Sequence, residues 1–230
     1  MATTSSTSQS GAGGAEVYYP TRDGRPMGET PIHRRCMVYL IDVLERWFEA
    51  DPKVYVSGNM MMYYVEGDPR KHLSPDVFVA IGAPKDKDRD AYFTWLDDDP
   101  PPDLVIEATS KSTRKEDQVK KFLLYQDVLN VREYFLFDPR GDYLKPRLKG
   151  YRLESGLYVP IAESDGRLPS EVLGMHFEPD GHWLRIYNPA AGEWLLTGEQ
   201  RAEREVERLR REIEELRGRQ GSNGSDSGQA

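Results

Sequence analysis

The chain has 230 residues, a mean hydropathy of −0.70 and 30% charged residues, which suits one domain of ordinary size with polar tails. Its net charge of −8 argues against a protein covered in nucleic-acid-binding Lys and Arg, although a local basic patch remains compatible with it. A single cysteine, Cys36, excludes an internal disulfide and a cysteine-based zinc site and favours a reducing, cytoplasmic setting, and no apolar run is long enough to predict a membrane span.

The N-terminal third is predicted to begin with a disordered tail, residues 1–16, composed mainly of Ser, Thr, Gly and Ala. A helix follows, with Thr30 as N-cap and Pro31 as the first helical residue. Its apolar residues recur at spacings of four and three and therefore share one face. These residues are Ile32, Cys36, Leu40, Val43 and Trp47. Cys36 is thus expected in the core rather than as a reactive thiol.

Strand and helix patterns alternate through the rest of a predicted domain at residues 17–197. The order predicts an α/β or α+β domain built on a mixed sheet. A hairpin is expected to turn at residues 154–156. The predicted strand segments are 53–65, 74–82, 103–107, 132–139, 146–161 and 182–189, with a helix between the third and fourth.

Residues 199–217 have the composition of a charged helix, and residues 218–230 that of a second disordered tail. Apolar residues alternate by four and three along the helix, as in the seam of a short coiled coil. A solvated single helix supported by Glu–Arg pairs and a homodimer formed through this seam are both compatible with the pattern. The seam residues are Ala202, Val206, Leu209, Ile213 and Leu216.

A carboxylate is set into the otherwise apolar strand at residues 103–107, DLVIE. Because strand side chains alternate, Val105, Glu107 and Thr109 would share one face. A buried carboxylate is destabilising unless a cation offsets its charge. Glu107 therefore needs a lysine, a metal ion or both as a partner.

The helix after this strand has two adjacent lysines that differ in direction. It is expected to start near Arg114, after a capping-box pattern, and to be largely buried because apolar residues surround it. Lys120 falls on its polar side, whereas Lys121 lies on a stripe with Asp117 and Tyr125. Lys121 is thus expected to point inward, where Glu107 is an available partner.

Asp76 is the second candidate carboxylate, at the start of the predicted strand 74–82. If the two strands are neighbours, Asp76 and Glu107 meet at one end of the sheet, where they repel unless a cation lies between them. Mg²⁺ suits such a pair, with water as its remaining ligands. The alternatives are a turn role for Asp76 and a purely structural ion pair between Glu107 and Lys121.

Other acidic and aromatic residues near these segments have less specific interpretations. Asp117, four residues before Lys121, can serve merely to anchor that lysine. Asp103 suits a solvated strand end better than a ligand, and Tyr125 suits packing better than chemistry. Glu45 is the nearest acidic candidate on the first helix.

Three motifs together resemble the Uma-two family of restriction-endonuclease-like proteins, in the PD-(D/E)XK nuclease superfamily. The motifs are SPDVFVA, PDLVIEATSKSTRKEDQVKKFLLYQDV and REYFLFDP, and the resemblance covers about residues 29–165. It implies a restriction-endonuclease-like fold with Asp76 and Glu107 as metal ligands and Lys121 as the catalytic lysine. The superfamily's usual lysine lies two residues after the glutamate; here that position is Thr109, so Lys121 would be a relocated lysine.

The predicted function is therefore a Mg²⁺- or Mn²⁺-dependent endonuclease that hydrolyses DNA phosphodiester bonds. The rival hypothesis is a catalytically silent nuclease fold that self-associates through the helix at residues 199–217.

Overall fold

The structure is a computed structural model that describes residues 6–10, 16–21 and 30–223. It divides into two compact units, Met1–Leu195 and Leu196–Ala230. Residues 1–5 and 11–15 of the predicted N-terminal tail, and 224–230 of the C-terminal one, lie outside the described residues. Among the helices described, none combines the length and the apolar character that crossing a membrane requires.

The chain passes through its strands and helices in a mixed order. They are β1 (Ser6–Ser10), β2 (Glu16–Pro20), α1 (Pro31–Trp47), β3 (Val54–Ser57), β4 (Met62–Tyr63), β5 (His72–Leu73), β6 (Val77–Ile81), β7 (Tyr92–Phe93), β8 (Leu104–Ala108), a π-helical segment (Glu116–Lys121), α2 (Phe122–Asp127), β9 (Glu133–Phe137), β10 (Leu148–Glu154), β11 (Leu157–Pro160), β12 (Leu168–Ser170), β13 (Met175–Asp180), β14 (Trp183–Asn188), β15 (Glu193–Trp194) and α3 (Gly198–Asn223).

The predicted mixed α/β fold is confirmed by a six-stranded sheet in the order β11-β10-β9-β8-β6-β3. Its central pair, β8 and β9, is parallel, and the other neighbouring strands are antiparallel. The connection between the parallel strands carries the π-helical segment and α2, as a parallel pair requires a crossover. This arrangement brings the end of β8 next to that helical connection.

α1 begins as its sequence predicts, and most of its predicted apolar face is buried, although Trp47 is exposed. The Thr30 side chain accepts a hydrogen bond from the His33 backbone N–H, and Pro31 occupies the first helical position. Cys36, Leu40 and Val43 are buried against one face of the sheet, together with Leu104 and Ile106 of β8. The predicted core position of Cys36 is confirmed, and burial raises the pKa of its thiol to about 12.

The opposite face of the sheet packs against α2. Val105 of β8 and Tyr134 of β9 lie in this second core with Tyr125 of α2. The alternation predicted for β8 is therefore observed, with Val105 and Glu107 facing the α2 side.

The expectation that this helical connection is largely buried is wrong. Val119, Leu123 and Val128 are 57%, 48% and 50% exposed. The wide i→i+5 turns of the π-helical segment shift the angular positions of residues on either side, so an apolar pattern counted at 3.6 residues per turn overestimates the buried face.

Three smaller sheets were only partly predicted. β12 to β15 form an antiparallel sheet, of which only the segment containing β14 was expected. β5, β4 and β7 form another, and β1 pairs with β2. β5 and β7 are two residues long, too short to leave a periodic signal in the sequence. The hairpin of β10 and β11 turns at Ser155 and Gly156, both with positive φ, as predicted.

Candidate functional site

Glu107 and Lys121 form a buried ion pair. Lys121 Nζ lies 2.8 Å from Glu107 Oε2, and the Lys121 and Glu107 side chains are 12% and 1% exposed. The neighbouring Lys120 side chain is 78% exposed, so the predicted difference between the two lysines is observed. The Tyr125 hydroxyl donates to Glu107 Oε1 at 2.7 Å, and Lys121 Nζ also donates to the Ser74 carbonyl at 3.2 Å. Both carboxylate oxygens of Glu107 are thus held by the helical connection.

Asp76 lies one residue before β6 and reaches the same end of the sheet. Val77 pairs with Ile106, so the antiparallel register continued by one residue sets Asp76 opposite Glu107, on the same face. Asp76 Oδ2 accepts a hydrogen bond from the Ala108 N–H at 2.8 Å. The structure therefore brings Asp76, Glu107 and Lys121 together, as the sequence predicted.

The π-helical segment adds a third carboxylate. Asp117 is buried, and its Oδ1 lies 3.6 Å from Lys121 Nζ, four residues along the chain. The Thr109 hydroxyl donates to Asp117 Oδ2 at 2.7 Å, and the Tyr134 hydroxyl donates to the Asp117 carbonyl at 2.9 Å. Asp117 thus contacts Lys121 as its anchoring interpretation requires, and it also adds charge to the site. π-Helical turns are often found at functional sites.

The charges around Lys121 do not balance. Burial raises the pKa of Glu107 well above its ordinary value, against the opposing effect of Lys121, and burial also raises the pKa of Asp117. Burial acts in the same direction on Asp76, but the His33 hydrogen bond and the Lys121 charge outweigh it and lower the Asp76 pKa. Three carboxyl groups therefore surround one ammonium group, and the raised pKa values of Glu107 and Asp117 reflect the cost of keeping all three ionised there.

His33 is the contact that sequence reasoning missed. Its Nε2 lies 3.0 Å from Asp76 Oδ2, since the first turn of α1 lies beside the residue that precedes β6. Its position two residues after Pro31 was the only local signal, and it does not specify a partner. Glu45, the acidic candidate on α1, lies exposed near the other end of that helix.

Asp103 and Thr109 have structural partners. Asp103 accepts from the Ile81 N–H at 2.8 Å, in keeping with its interpretation as a strand-end residue. Thr109, at the superfamily's usual lysine position, bonds to Asp117 and to the Tyr143 hydroxyl. A lysine at position 109 would remove these two hydrogen bonds of the Thr109 hydroxyl and would lie beside Asp117, which Lys121 already contacts.

A comparison with protein-family models matches residues 16–179 to the Uma2 family, described as "Putative restriction endonuclease". This chain belongs to the Uma2 family. The match covers more than half of the chain and includes every residue of this site. The family resemblance recognised from the sequence motifs is confirmed, and family membership favours a nuclease, a hydrolase acting on nucleic acid.

Other comparisons are more distant. Among solved structures, the chain is similar to one described as a "putative nuclease belonging to DUF820" from Anabaena variabilis, with 16% sequence identity and a TM-score of 0.46. The alignment covers 68% of this chain and 79% of the other. No curated protein matches the chain.

Proposed function

We propose that this chain is a metal-dependent endonuclease that hydrolyses DNA phosphodiester bonds at a site formed by Asp76, Glu107 and Lys121. One observation carries the proposal: a buried ammonium group, Lys121, lies among three carboxyl groups, two of which have raised pKa values. A structural ion pair would need a single acid, whereas clustered carboxyl groups that resist ionisation together suit a site that recruits a further cation.

The donor chemistry fits Mg²⁺ or Mn²⁺. Asp76 and Glu107 would hold the ion through carboxylate oxygens, the donors that hard divalent cations prefer, with water as the other ligands. Within the described parts of the chain, no group of three or more acidic, His or Cys side chains is arranged to hold a metal by itself, so water would have to supply most of the ligands. When bound, the metal would polarise a phosphodiester oxygen and promote deprotonation of water.

The remaining side chains position these groups. The Lys121 ammonium would stabilise the negative charge that builds on the phosphoryl oxygens. Tyr125 fixes the orientation of Glu107, and His33 with the Ala108 N–H fixes Asp76.

Cations are also present beside the site, although the whole chain is acidic. A cavity of about 40 Å³ lined by His33 and Thr109 carries two exposed cations, Lys111 and Arg140, together with two carboxylates, Asp138 and Asp142. These two cations could contact the phosphates that flank the cleaved bond.

Cleavage of supercoiled plasmid DNA tests the proposal. With Mg²⁺ or Mn²⁺ the wild-type chain should produce nicked or linear DNA, and Asp76→Asn, Glu107→Gln and Lys121→Ala should each lose that activity. Lys120→Ala is the matched control, since Lys120 is exposed on the same helix. Urea unfolding of each variant separates lost chemistry from lost fold. If the folded Glu107→Gln and Lys121→Ala proteins both cut like the wild type, the site assignment is wrong.

A catalytically silent interaction module is the second candidate, and the exposed apolar seam of α3 favours it. Calorimetric titration with Mn²⁺ distinguishes the two hypotheses. The nuclease proposal expects binding that is lost in Asp76→Asn, whereas a silent scaffold expects no specific binding in either protein.

A further inference from the structure

α3 exposes a continuous apolar seam. Val206, Leu209, Ile213 and Leu216 are between 43% and 52% exposed within the compact unit that contains α3. Arg and Glu occupy most of the remaining positions, so the apolar residues do not arise from a generally hydrophobic helix. An apolar stripe on an otherwise charged helix needs a partner surface.

The seam has the residue types of a two-stranded parallel coiled coil. The spacing assigns Val206 and Ile213 to heptad position a, and Ala202, Leu209 and Leu216 to position d. β-Branched residues at a combined with Leu at d favour parallel dimers over higher oligomers. Two of the three d positions hold Leu, and both a positions are β-branched.

The flanking charges select the same orientation. Glu205 and Glu212 occupy position g, and Arg210 and Arg217 occupy position e. In a parallel pair each g residue faces the e residue five positions further along the other helix, which places each glutamate opposite an arginine. In an antiparallel pair Glu205 would face Glu212 of the other copy, and the like charges would repel.

The ion pairs within α3 do not oppose this arrangement. Glu205 pairs with Arg208 at 2.6 Å, but both side chains are more than half exposed, and such surface pairs exchange readily. Glu207 pairs with Arg211 on the outer side of the helix, away from the seam.

We propose that α3 forms a parallel, in-register, two-stranded coiled coil with a second copy of this chain. The apolar seam is short, from Ala202 to Leu216, so the dimer is expected to depend strongly on protein concentration. The proposal does not depend on nuclease activity, because it is measured by molecular mass and cross-linking.

Sedimentation equilibrium of the full chain tests association. The wild type should shift from monomer towards dimer as concentration rises, and Leu209→Glu should remain a monomer. Arg204→Glu, at the outer heptad position f, is the matched control and should associate like the wild type. A wild type that stays monomeric at every concentration, or a Leu209→Glu protein that dimerises normally, overturns the proposal.

Disulfide formation tests orientation, and the buried Cys36 thiol leaves the background low. A parallel, in-register pair brings the two copies of residue 216 together, so Leu216→Cys should oxidise rapidly to a covalent dimer. Arg204→Cys, on the outer face, should do so slowly. An antiparallel pair would instead set position a of one helix against position d of the other and cross-link a mixture of Ala202→Cys and Ile213→Cys chains; that heterodimer without a Leu216→Cys homodimer would refute the parallel arrangement.

Charge reversal tests the proposed pairs. One variant carries Glu205→Arg with Glu212→Arg, and the other carries Arg210→Glu with Arg217→Glu. Each alone should lose self-association through repulsion between e and g positions, and the mixture should form a heterodimer. Self-association of each variant at wild-type strength would show that these charges do not face one another.

Discussion

Replacing Lys121 with methionine tests the charge balance of the site. The substitution keeps an unbranched apolar stem and removes the ammonium group from Glu107 and Asp117. Removing one partner of a buried ion pair is strongly destabilising, because the other charge is left without compensation. The folded chain can limit that penalty by binding one more proton.

The size of the destabilisation follows from the free energy needed to protonate a carboxylate. Protonating a glutamate of ordinary pKa 4.5 at pH 7 requires about 3 kcal/mol, since each pH unit above the pKa contributes about 1.4 kcal/mol. At pH 5 the same proton requires less than about 1 kcal/mol. We therefore expect Lys121→Met to lower the free energy of unfolding by up to about 3 kcal/mol at pH 7 and by under about 1 kcal/mol at pH 5.

The direction of this pH dependence agrees with the raised pKa of Glu107 in the wild type. Its folded pKa is raised by burial, so its contribution to stability is fully present below pH 4.5 and is lost as pH rises through the folded pKa. Without Lys121 that loss should become larger.

Urea unfolding at the two pH values, in buffer with a chelator, measures the difference, and Lys120→Met is the control. Equal destabilisation at pH 5 and pH 7, or a larger loss at pH 5, would refute the reasoning.

The remaining predictions concern single contacts. Gly58→Ala should reduce both stability and DNA cleavage, because an added Cβ would lie 1.9 Å from the Asp76 carbonyl oxygen; differential scanning calorimetry and plasmid cutting measure the two effects. Four backbone N–H donors lower the pKa of Asp138, although burial alone would raise that pKa, so the stabilisation by this carboxylate should be lost as pH falls below about 4. Urea unfolding of Asp138→Asn should show a free energy of unfolding lower by about 1–2 kcal/mol at neutral pH and a smaller loss in acid. Cys36, fully buried and with a raised pKa, should react with Ellman's reagent only after unfolding. If both proposals hold, Leu209→Glu should lower the ratio of linear to nicked plasmid at low protein concentration, since cutting both strands needs two sites.

The core of the site could be predicted because its information is local. Alternation along β8 sets the direction of Glu107, and helical spacing separates Lys121 from Lys120. Pairing of the Asp76 and Glu107 strands needed only one assumption, that they are neighbours, and β6 does pair with β8. The metal and the catalytic roles remain predictions for the proposed experiments.

The parts that could not be predicted depend on contacts between distant segments. His33 meets Asp76 only because α1 crosses the sheet at a particular position, and no periodicity encodes that position. Val119 lies in the π-helical segment, whose wider turns a period of 3.6 residues does not predict, and its side chain is exposed. The two-residue strands β5 and β7 likewise exist through their partner β4.

Asp76 and Glu107 are positioned by strands, whereas Lys121 and Asp117 are positioned by a helical segment. The hydrogen-bonded pairing of β6 with β8 sets the spacing of Asp76 and Glu107, whereas the position of the Lys121 ammonium depends on how one short helical segment packs. Aromatic contacts at the adjoining start of α2, such as Phe122 against Tyr158 with ring centroids 5.1 Å apart, hold this helical connection in place. Loosening those rings would therefore displace Lys121 and Asp117 together and weaken the hydrogen bonds that hold Glu107, while Asp76 keeps its place beside β6.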